Sequence, residues 1–158
     1  MIHVNVYEKW WMGLSVVMLV VFGAAIGVAG FMLGFQVPVP EARVDPNVIA
    51  KSGPFANPGL RQLAPGKYEA YIRAEANPWK FRPDKITIPV NSTVTFYVTS
   101  ADVQHGFRID GTNANVMILP GQISKTTVTF TQKGTFAFVC TEYCGVGHQN
   151  MFGTIIVE

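Results

Sequence analysis

The residues with the clearest chemistry lie in one short segment near the C-terminus, 140–151, which reads Cys-Thr-Glu-Tyr-Cys-Gly-Val-Gly-His-Gln-Asn-Met. It contains both cysteines of the chain, Cys140 and Cys144, together with His148 and Met151. Thiolate, imidazole and thioether groups are soft or borderline donors that together suit copper, whereas hard cations favour carboxylates. The segment therefore predicts a metal site, and His105 is a further imidazole candidate.

The second cysteine bears on the number of metal ions. One copper ion held by two histidines, one cysteine and an axial methionine needs a single thiolate. Two thiolates can bridge two copper ions, with His105 and His148 binding one ion each and with Met151 and a backbone carbonyl of the loop in weak axial positions. Sharing an electron over two ions spreads the geometric change on reduction and favours fast one-electron transfer. Gly145 and Gly147 allow the tight or left-handed backbone that such a loop requires.

Three other interpretations stay open from these residues alone. The cysteines could form a disulfide in an oxidising compartment, although a disulfide gives no reason for His148 and Met151 to follow Cys144 so closely. Tetrahedral zinc is the closer rival because two cysteines and two histidines form a zinc set, and Met151 argues only mildly against it. His105 taken alone is an ordinary strand histidine, and only the segment 140–151 makes it a ligand candidate.

Short segments rich in Val, Ile, Thr, Phe and Tyr fill the chain after Lys67 and must position these ligands. Apolar residues alternate most clearly over 94–98 and 136–140, as in strands with one buried face. The predicted strands are 67–74, 85–90, 93–99, 105–109, 115–119, 124–131, 134–140 and 152–157. Short strands at this spacing predict an all-β sandwich or barrel over 67–158 with a small core.

An apolar stretch precedes this domain. Residues 10–40 carry no charge, and 13–35 are apolar or small except for Ser15. About 20 such residues span a bilayer core of ~30 Å, so we expect a membrane helix over 10–36. A cleaved secretory signal is the alternative, but its apolar region would be only about 7 to 15 residues long. Aromatic residues that suit a membrane interface flank the stretch: Tyr7, Trp10, Trp11 and Phe35.

The remaining parts of the chain are a flank and a connector. Residues 1–9 form the N-terminal flank, and 37–66, which hold six of the 10 prolines, predict an extended or irregular linker. Only 22 of 158 residues are charged, and all but two of these follow position 40. This composition excludes a chain disordered throughout and a protein with several membrane spans. A net charge of +2 without a basic cluster gives no reason to expect nucleic acid as a partner.

Three segments together form a recognisable pattern. They are 100–107 (Ser-Ala-Asp-Val-Gln-His-Gly-Phe), 119–121 (Leu-Pro-Gly) and the loop pattern Cys140-x-Glu142-x-Cys144-Gly-x-Gly-His148-x-x-Met151. This pattern resembles the CuA domain of cytochrome c oxidase subunit II, and the resemblance covers the chain from about Lys67 to its end. It implies a cupredoxin fold, a Greek-key β-barrel or sandwich, after one N-terminal transmembrane helix. It also implies a binuclear copper centre, CuA, that accepts electrons from cytochrome c and passes them to haem in subunit I.

Carried over by position, the resemblance implies a set of copper ligands. The set is His105, Cys140, Cys144, His148 and Met151, with the carbonyl oxygen of Glu142. The Glu142 side chain matches a glutamate that in many members helps to hold magnesium at the subunit I interface. CuA domains face the periplasm or outer side, so we expect the flank 1–9 to be cytoplasmic and the helix to cross the plasma membrane once.

The chain departs from the common pattern of this family in having one helix in place of a two-helix hairpin. It therefore resembles the short subunit II of B-type oxidases, where a small accessory subunit would supply the missing helix. The family's closely spaced aromatics are represented by 77–83, in which Trp79 is the candidate for receiving electrons or, alternatively, a core or rim residue. The other functional interpretations are a stand-alone membrane-anchored copper electron carrier and a structural zinc domain.

Overall fold

The computed structural model describes residues 4–33 and 40–158. The chain forms two compact units, Met1–Pro38 and Val39–Glu158. Among the described residues, the first unit contains one long helix and the second contains the β-strands.

The N-terminal unit confirms the predicted apolar helix. Helix α1 spans Val6–Gly27 and continues in a π-helical turn, Val28–Met32, with no buried residue in either element. The helix begins earlier than predicted because Asn5 caps it: the Asn5 side chain accepts the Tyr7 N–H, and the Glu8 carboxylate accepts the Asn5 N–H. Together, α1 and the π-helical turn form a 27-residue segment, Val6–Met32, that is long and apolar enough to cross a membrane. The predicted end at 34–36, the start of the linker at 37–39 and the first residues of the flank lie outside the described residues.

The second unit is a sandwich of two sheets. Its strands are β1 Ala42–Arg43, β2 Gly59–Ala64, β3 Lys67–Ala76, β4 Trp79–Arg82, β5 Lys85–Ile88, β6 Ser92–Ser100, β7 His105–Ile109, β8 Asn115–Ile118, β9 Gln122–Phe130, β10 Gly134–Val139 and β11 Phe152–Val157. One sheet has the order β1-β9-β6-β3-β2, with β4 also paired to β3, and the other has the order β5-β11-β10-β7-β8. Most neighbours are antiparallel, but β3 pairs with β6 and β5 with β11 in parallel.

Phenylalanine rings fill the space between the two sheets. Phe107 lies 5.7 Å from Phe81, 5.7 Å from Phe96 and 5.3 Å from Phe138 between ring centroids. These rings meet edge-on or tilted, the arrangements that aromatic pairs favour. Because β7 and β10 contribute Phe107 and Phe138, the core fixes the two strands whose ends lead to the candidate metal site.

All eight predicted strands are present, with ends that differ by a few residues, but three strands were not predicted. Two of them, β1 and β2, lie in the segment interpreted as a linker, so that interpretation needs correction over 40–66. Its prolines fall outside the strands, which leaves β2 free to pair with β3. Ile49 and Phe55 are buried, and the Arg73 guanidinium donates to the Phe55 carbonyl at 2.6 Å. The β-unit therefore begins well before Lys67.

Candidate metal centre

The loop between β10 and β11 carries most of the candidate ligands. Cys140 directly follows β10, and Met151 directly precedes β11. Because these strands are antiparallel neighbours, with Val139 opposite Phe152, the two ends of the loop must meet. They are joined by a hydrogen bond from the Cys140 N–H to the Met151 carbonyl at 3.1 Å.

Two thiols lie at the centre of the site. The Sγ atoms of Cys140 and Cys144 are 3.8 Å apart. The Nδ1 atom of His105, the first residue of β7, is 3.9 Å from the Cys140 Sγ. The Nδ1 atom of His148, in a 3₁₀ turn of the loop, is 3.5 Å from the Cys144 Sγ. Each thiol is thus accompanied by one imidazole nitrogen that can bind a metal.

Two weaker donors lie beside the same thiols. The Met151 Sδ is 3.8 Å from the Cys144 Sγ, and the Glu142 carbonyl oxygen is 3.3 Å from the Cys140 Sγ. The structure therefore brings together all six groups that the sequence suggested as ligands. Within the described residues, the donor atoms of His105, Cys140 and Cys144 form the one cluster of three or more His, Cys, Asp or Glu groups within 4.8 Å.

The cysteines are free rather than joined by a disulfide. Their sulfur separation of 3.8 Å is far longer than the ~2.05 Å of a disulfide bond. Both are buried, as is Met151, while the exposed fraction of His105 is 0%. The donor atoms of these four residues are therefore shielded from water, in surroundings where an electrostatic interaction is stronger than in bulk solvent.

Burial raises the pKa of both thiols, but their other neighbours make the two pKa values differ. Cys140 interacts with the His105 ring and accepts hydrogen bonds, including the Gly106 N–H at 3.4 Å, and together these lower its pKa to about 6. The pKa of Cys144 rises to about 12, through burial and through repulsion by the neighbouring Cys140 charge. Two adjacent thiolates therefore need a cation between them, which fits a metal that deprotonates its thiol ligands.

Asp102 supports the His105 ring from the side opposite to the thiols. Its Oδ1 atom lies 3.0 Å from the His105 Nε2. Burial lowers the pKa of His105, but the hydrogen bonds to Cys140 and Asp102 outweigh it and the pKa is raised overall. Metal-binding histidines commonly place a carboxylate on their second nitrogen. The sequence analysis includes Asp102 only as part of the segment 100–107 and gives it no role, although its position three residues before His105 was a signal.

Gly106 was missed by sequence reasoning altogether. A Cβ atom at this position would lie 2.8 Å from the Thr141 nitrogen and 2.9 Å from the Glu142 nitrogen. Such distances are shorter than side chains tolerate, so only glycine lets the loop backbone lie directly on β7. This close approach is what brings the Gly106 N–H to the Cys140 sulfur.

Trp79, on the unpredicted strand β4, lies against the loop between β10 and β11. Its Nε1–H donates to the Cys144 carbonyl at 3.1 Å. A Cβ on Gly145 would approach the indole to 3.1 Å, and one on Gly147 would lie 2.5 Å from its Cδ2. Gly145 has φ +124°, as expected for a tight loop, but Gly147 is required by close contact with the ring. Trp79 is half-buried, so it is a rim residue that touches the loop.

The Glu142 side chain points to a different neighbour from its carbonyl. Its Oε2 atom accepts a hydrogen bond from the Gln104 amide at 3.3 Å. The carboxylate is not part of the donor cluster formed by His105 and the two cysteines. Glu142 therefore offers its carbonyl to the thiols and leaves its carboxylate toward Gln104.

Comparison with known proteins identifies the family. Residues 74–158 match the family described as cytochrome C oxidase subunit II, periplasmic domain. A cytochrome c oxidase subunit 2 of Thermus thermophilus is 41% identical over 156 residues, which cover 96% of this chain and 92% of that protein. A second Thermus thermophilus subunit 2 sequence is 43% identical over 118 residues, 73% of this chain and 86% of that protein.

Solved structures agree with these sequence matches. A chain of a haem-copper terminal oxidase dimer solved by cryo-EM is 36% identical, with a TM-score of 0.65, covering 96% of this chain and 99% of that one. The crystal structure of the periplasmic domain of cytochrome oxidase subunit II from Bradyrhizobium japonicum has a TM-score of 0.52 at 22% identity, covering 57% of this chain and 83% of that one. The latter confirms the expected cupredoxin-like fold. The chain thus belongs to the cytochrome c oxidase subunit II family, and it is an oxidoreductase subunit with an N-terminal membrane helix.

Proposed function

We propose that this chain is the electron-accepting subunit of a cytochrome c oxidase. In this proposal a binuclear copper centre, CuA, accepts electrons from cytochrome c and passes them to haem in subunit I, where oxygen is reduced. The observation that carries the proposal is the pair of buried thiols 3.8 Å apart, each with an imidazole Nδ1 within 3.9 Å.

The donor set fits two copper ions better than one zinc ion. A zinc site is closed by four donors, whereas here four further groups surround the two sulfurs, which makes six donors in all. In the proposed site the thiols of Cys140 and Cys144 would be shared by the metals, His105 and His148 would each bind one metal, and Met151 and the Glu142 carbonyl would be weaker ligands. Copper bound in this way would supply reversible one-electron transfer.

The protein contributes rigidity and a dry environment. Cys140 directly follows β10, and its sulfur accepts the Gly106 N–H at 3.4 Å, so the strand and this hydrogen bond both hold its side chain. The Phe107 and Phe138 rings exclude water behind the ligands. A fixed ligand set reduces the rearrangement that accompanies each electron transfer, which favours speed.

The surface of the loop supports an apolar docking site for cytochrome c. Tyr143 and Val146 are exposed at 79% and 81%, and Phe152 follows at 60%. Glu142 is the one charged residue of the loop 140–151. Rates of electron transfer should fall only weakly as salt is raised, because salt screens steering by exposed charges. A steep loss of rate with salt would contradict apolar docking.

Trp79 is the proposed position at which electrons are received. The support for this role is that its half-buried indole donates directly to the Cys144 carbonyl, so it joins the rim to a ligand-bearing loop. In the same proposal the helix crosses the plasma membrane with its N-terminus in the cytoplasm. A small accessory subunit contributes a further helix, and the Glu142 carboxylate takes part in a magnesium site completed by subunit I.

Electron spin resonance of the full chain, purified in detergent and loaded with copper, tests the central claim. One electron shared equally by two copper nuclei gives a hyperfine pattern that a single copper ion cannot produce. A mononuclear pattern, or preferential retention of zinc over copper, would overturn the binuclear assignment. Co-purification with a haem-containing subunit separates the oxidase subunit from a stand-alone electron carrier.

A further inference from the structure

The Asp102 carboxylate lies where three parts of the fold meet. Its Oδ1 atom accepts the Val103 N–H at 2.7 Å and lies 3.0 Å from the His105 Nε2. Its Oδ2 atom accepts the N–H of Ala76, the last residue of β3, at 2.5 Å. Both oxygens are therefore engaged by protein groups, although a third of the side chain is exposed.

We propose that Asp102 is a positioning residue that fixes the ring plane and tautomer of His105 and ties them to the β3–β4 hairpin. The proposal rests on the proposed function in one respect only, the use of copper at this site. It assigns to Asp102 control of the reduction potential and of copper affinity, without any contact with the metal.

The tautomer follows from the two neighbours of the ring. A neutral imidazole has one N–H donor and one acceptor nitrogen. When a metal is bound at Nδ1, the ring proton lies on Nε2, where the Asp102 carboxylate, which can only accept, is 3.0 Å away. The lone pair of Nδ1 is then directed to the metal on the side of the Cys140 sulfur, which lies 3.9 Å from Nδ1. The carboxylate also raises the basicity of the ring and hence its strength as a ligand.

The connection to the hairpin links both sides of the site. Ala76, which donates to Asp102, is paired with Trp79 across the β3–β4 hairpin. Trp79 in turn donates to the Cys144 carbonyl. The same hairpin thus holds His105 through Asp102 and the loop through Trp79. His148 has no comparable carboxylate on its Nε2 within the part of the chain that the structure describes.

The test compares Asp102→Asn with a control that loses the same charge elsewhere. Asp110→Asn is suitable because Asp110 forms a surface ion pair with Arg108 at 2.5 Å and follows the opposite end of β7. Both variants and the unaltered full chain are purified in detergent and loaded with copper. Copper affinity is measured by chelator competition, the reduction potential by spectroelectrochemistry and the hyperfine pattern by electron spin resonance.

Asp102→Asn should lower copper affinity by about 10- to 100-fold, as loss of such supporting groups does. Its reduction potential should rise, because a negative charge beside His105 favours the more positive oxidised site. If the loss falls on the oxidised form alone, each tenfold change corresponds to about 59 mV for one electron. Asp110→Asn should leave all three measurements as in the unaltered chain.

Equal potentials and affinities in Asp102→Asn and Asp110→Asn, with a shared-electron spectrum in the unaltered chain, would overturn the proposal. Absence of that spectrum in the unaltered chain would instead refute the proposed function. The ¹⁵N shifts of His105 in the copper-loaded chain, reduced to the diamagnetic Cu(I) form, give a measurement that needs no variant. A proton on Nε2 is expected, and a proton on Nδ1 would overturn the proposal even if Asp102→Asn failed to fold.

Discussion

The two halves of the candidate metal site are supported in different ways. The strand half consists of His105 and Cys140, which adjoin β7 and β10 and are held by Asp102 and Gly106. The loop half consists of Cys144, His148 and Met151, which depend on the indole of Trp79 and on turns within the loop. The histidines show the contrast, since His105 is fully buried whereas His148 is partly exposed.

The difference indicates a division of labour. Residues next to strands are held by the close-packed phenylalanine core, so they can keep metal ligands in fixed positions. Residues on a loop can lie close to the surface, where a partner protein has access. A site built only from residues next to strands would be less accessible to a partner, and a site built only from loop residues would be less rigid.

Removing one of the two thiols that we propose as bridging ligands should produce the largest effect, because both halves meet at the sulfur pair. In Cys140→Ser the hydroxyl cannot replace a thiolate that contacts Cys144 and His105, so the shared-electron spectrum should vanish and the copper content should fall. Cys144→Ser should give the same loss. Electron spin resonance and the copper-to-protein ratio are the measurements.

Thr141→Ser, a change in an exposed neighbouring residue, is the control for the cysteine variants. It should retain both the spectrum and the copper content. A shared-electron spectrum in either cysteine variant would show that the bridging assignment is wrong.

The second largest effect is expected from truncating the phenylalanine core, which should weaken the support of the strand half. Phe107→Ala removes a fully buried ring from β7, two residues from His105, and should cost about 3–5 kcal/mol of unfolding free energy. Urea unfolding of the copper-free full chain measures the loss. Phe152→Ala, at a ring that is 60% exposed, should change stability by less than about 0.5 kcal/mol. Similar losses in the two variants would argue that the core does not support this half.

Replacing the thioether should alter the loop half without destroying it. Met151→Leu conserves volume at a buried position and should cost less than about 1.5 kcal/mol. Copper should be retained while the reduction potential shifts, because the proposed axial ligand is lost. Spectroelectrochemistry measures the shift, and Met117→Leu, at a half-exposed position on β8, is the control. An unchanged potential in Met151→Leu would exclude Met151 as a ligand.

The smallest effect is expected from Trp79→Phe, which keeps a ring over the loop but removes its N–H. Loss of the hydrogen bond to the Cys144 carbonyl should cost about 1 kcal/mol. The effect should be local, so hydrogen exchange should accelerate at the His148 and Asn150 amides, which bond within the loop, and not at Gly106. Trp11→Phe, in the exposed N-terminal helix, is the control. Equal acceleration at Gly106 would mean that the halves are not separately supported.

Sequence reasoning reached the β-fold because alternation and β-branched residues are local properties of each strand. It missed β4 because Trp79–Arg82 is short and lies between Pro78 and Pro83, so no alternating run is visible. It treated 40–66 as a connector because prolines dominate the composition. The position of Phe55 depends on a distant residue, because Arg73, 18 residues away, donates a hydrogen bond to the Phe55 carbonyl. Local sequence could not show this contact.

The sequence by itself determined the apolar helix, the strand-rich domain and the identity of the donor groups, because each is encoded by residue type and short-range spacing. The tertiary structure alone decided how the donors face one another, since His105 and Cys140 are 35 residues apart and meet only through the pairing of β7 with β10. It also decided the roles of Asp102, Gly106 and Trp79. Their hydrogen bonds and close contacts join strands that are distant in sequence, so no local pattern could disclose them.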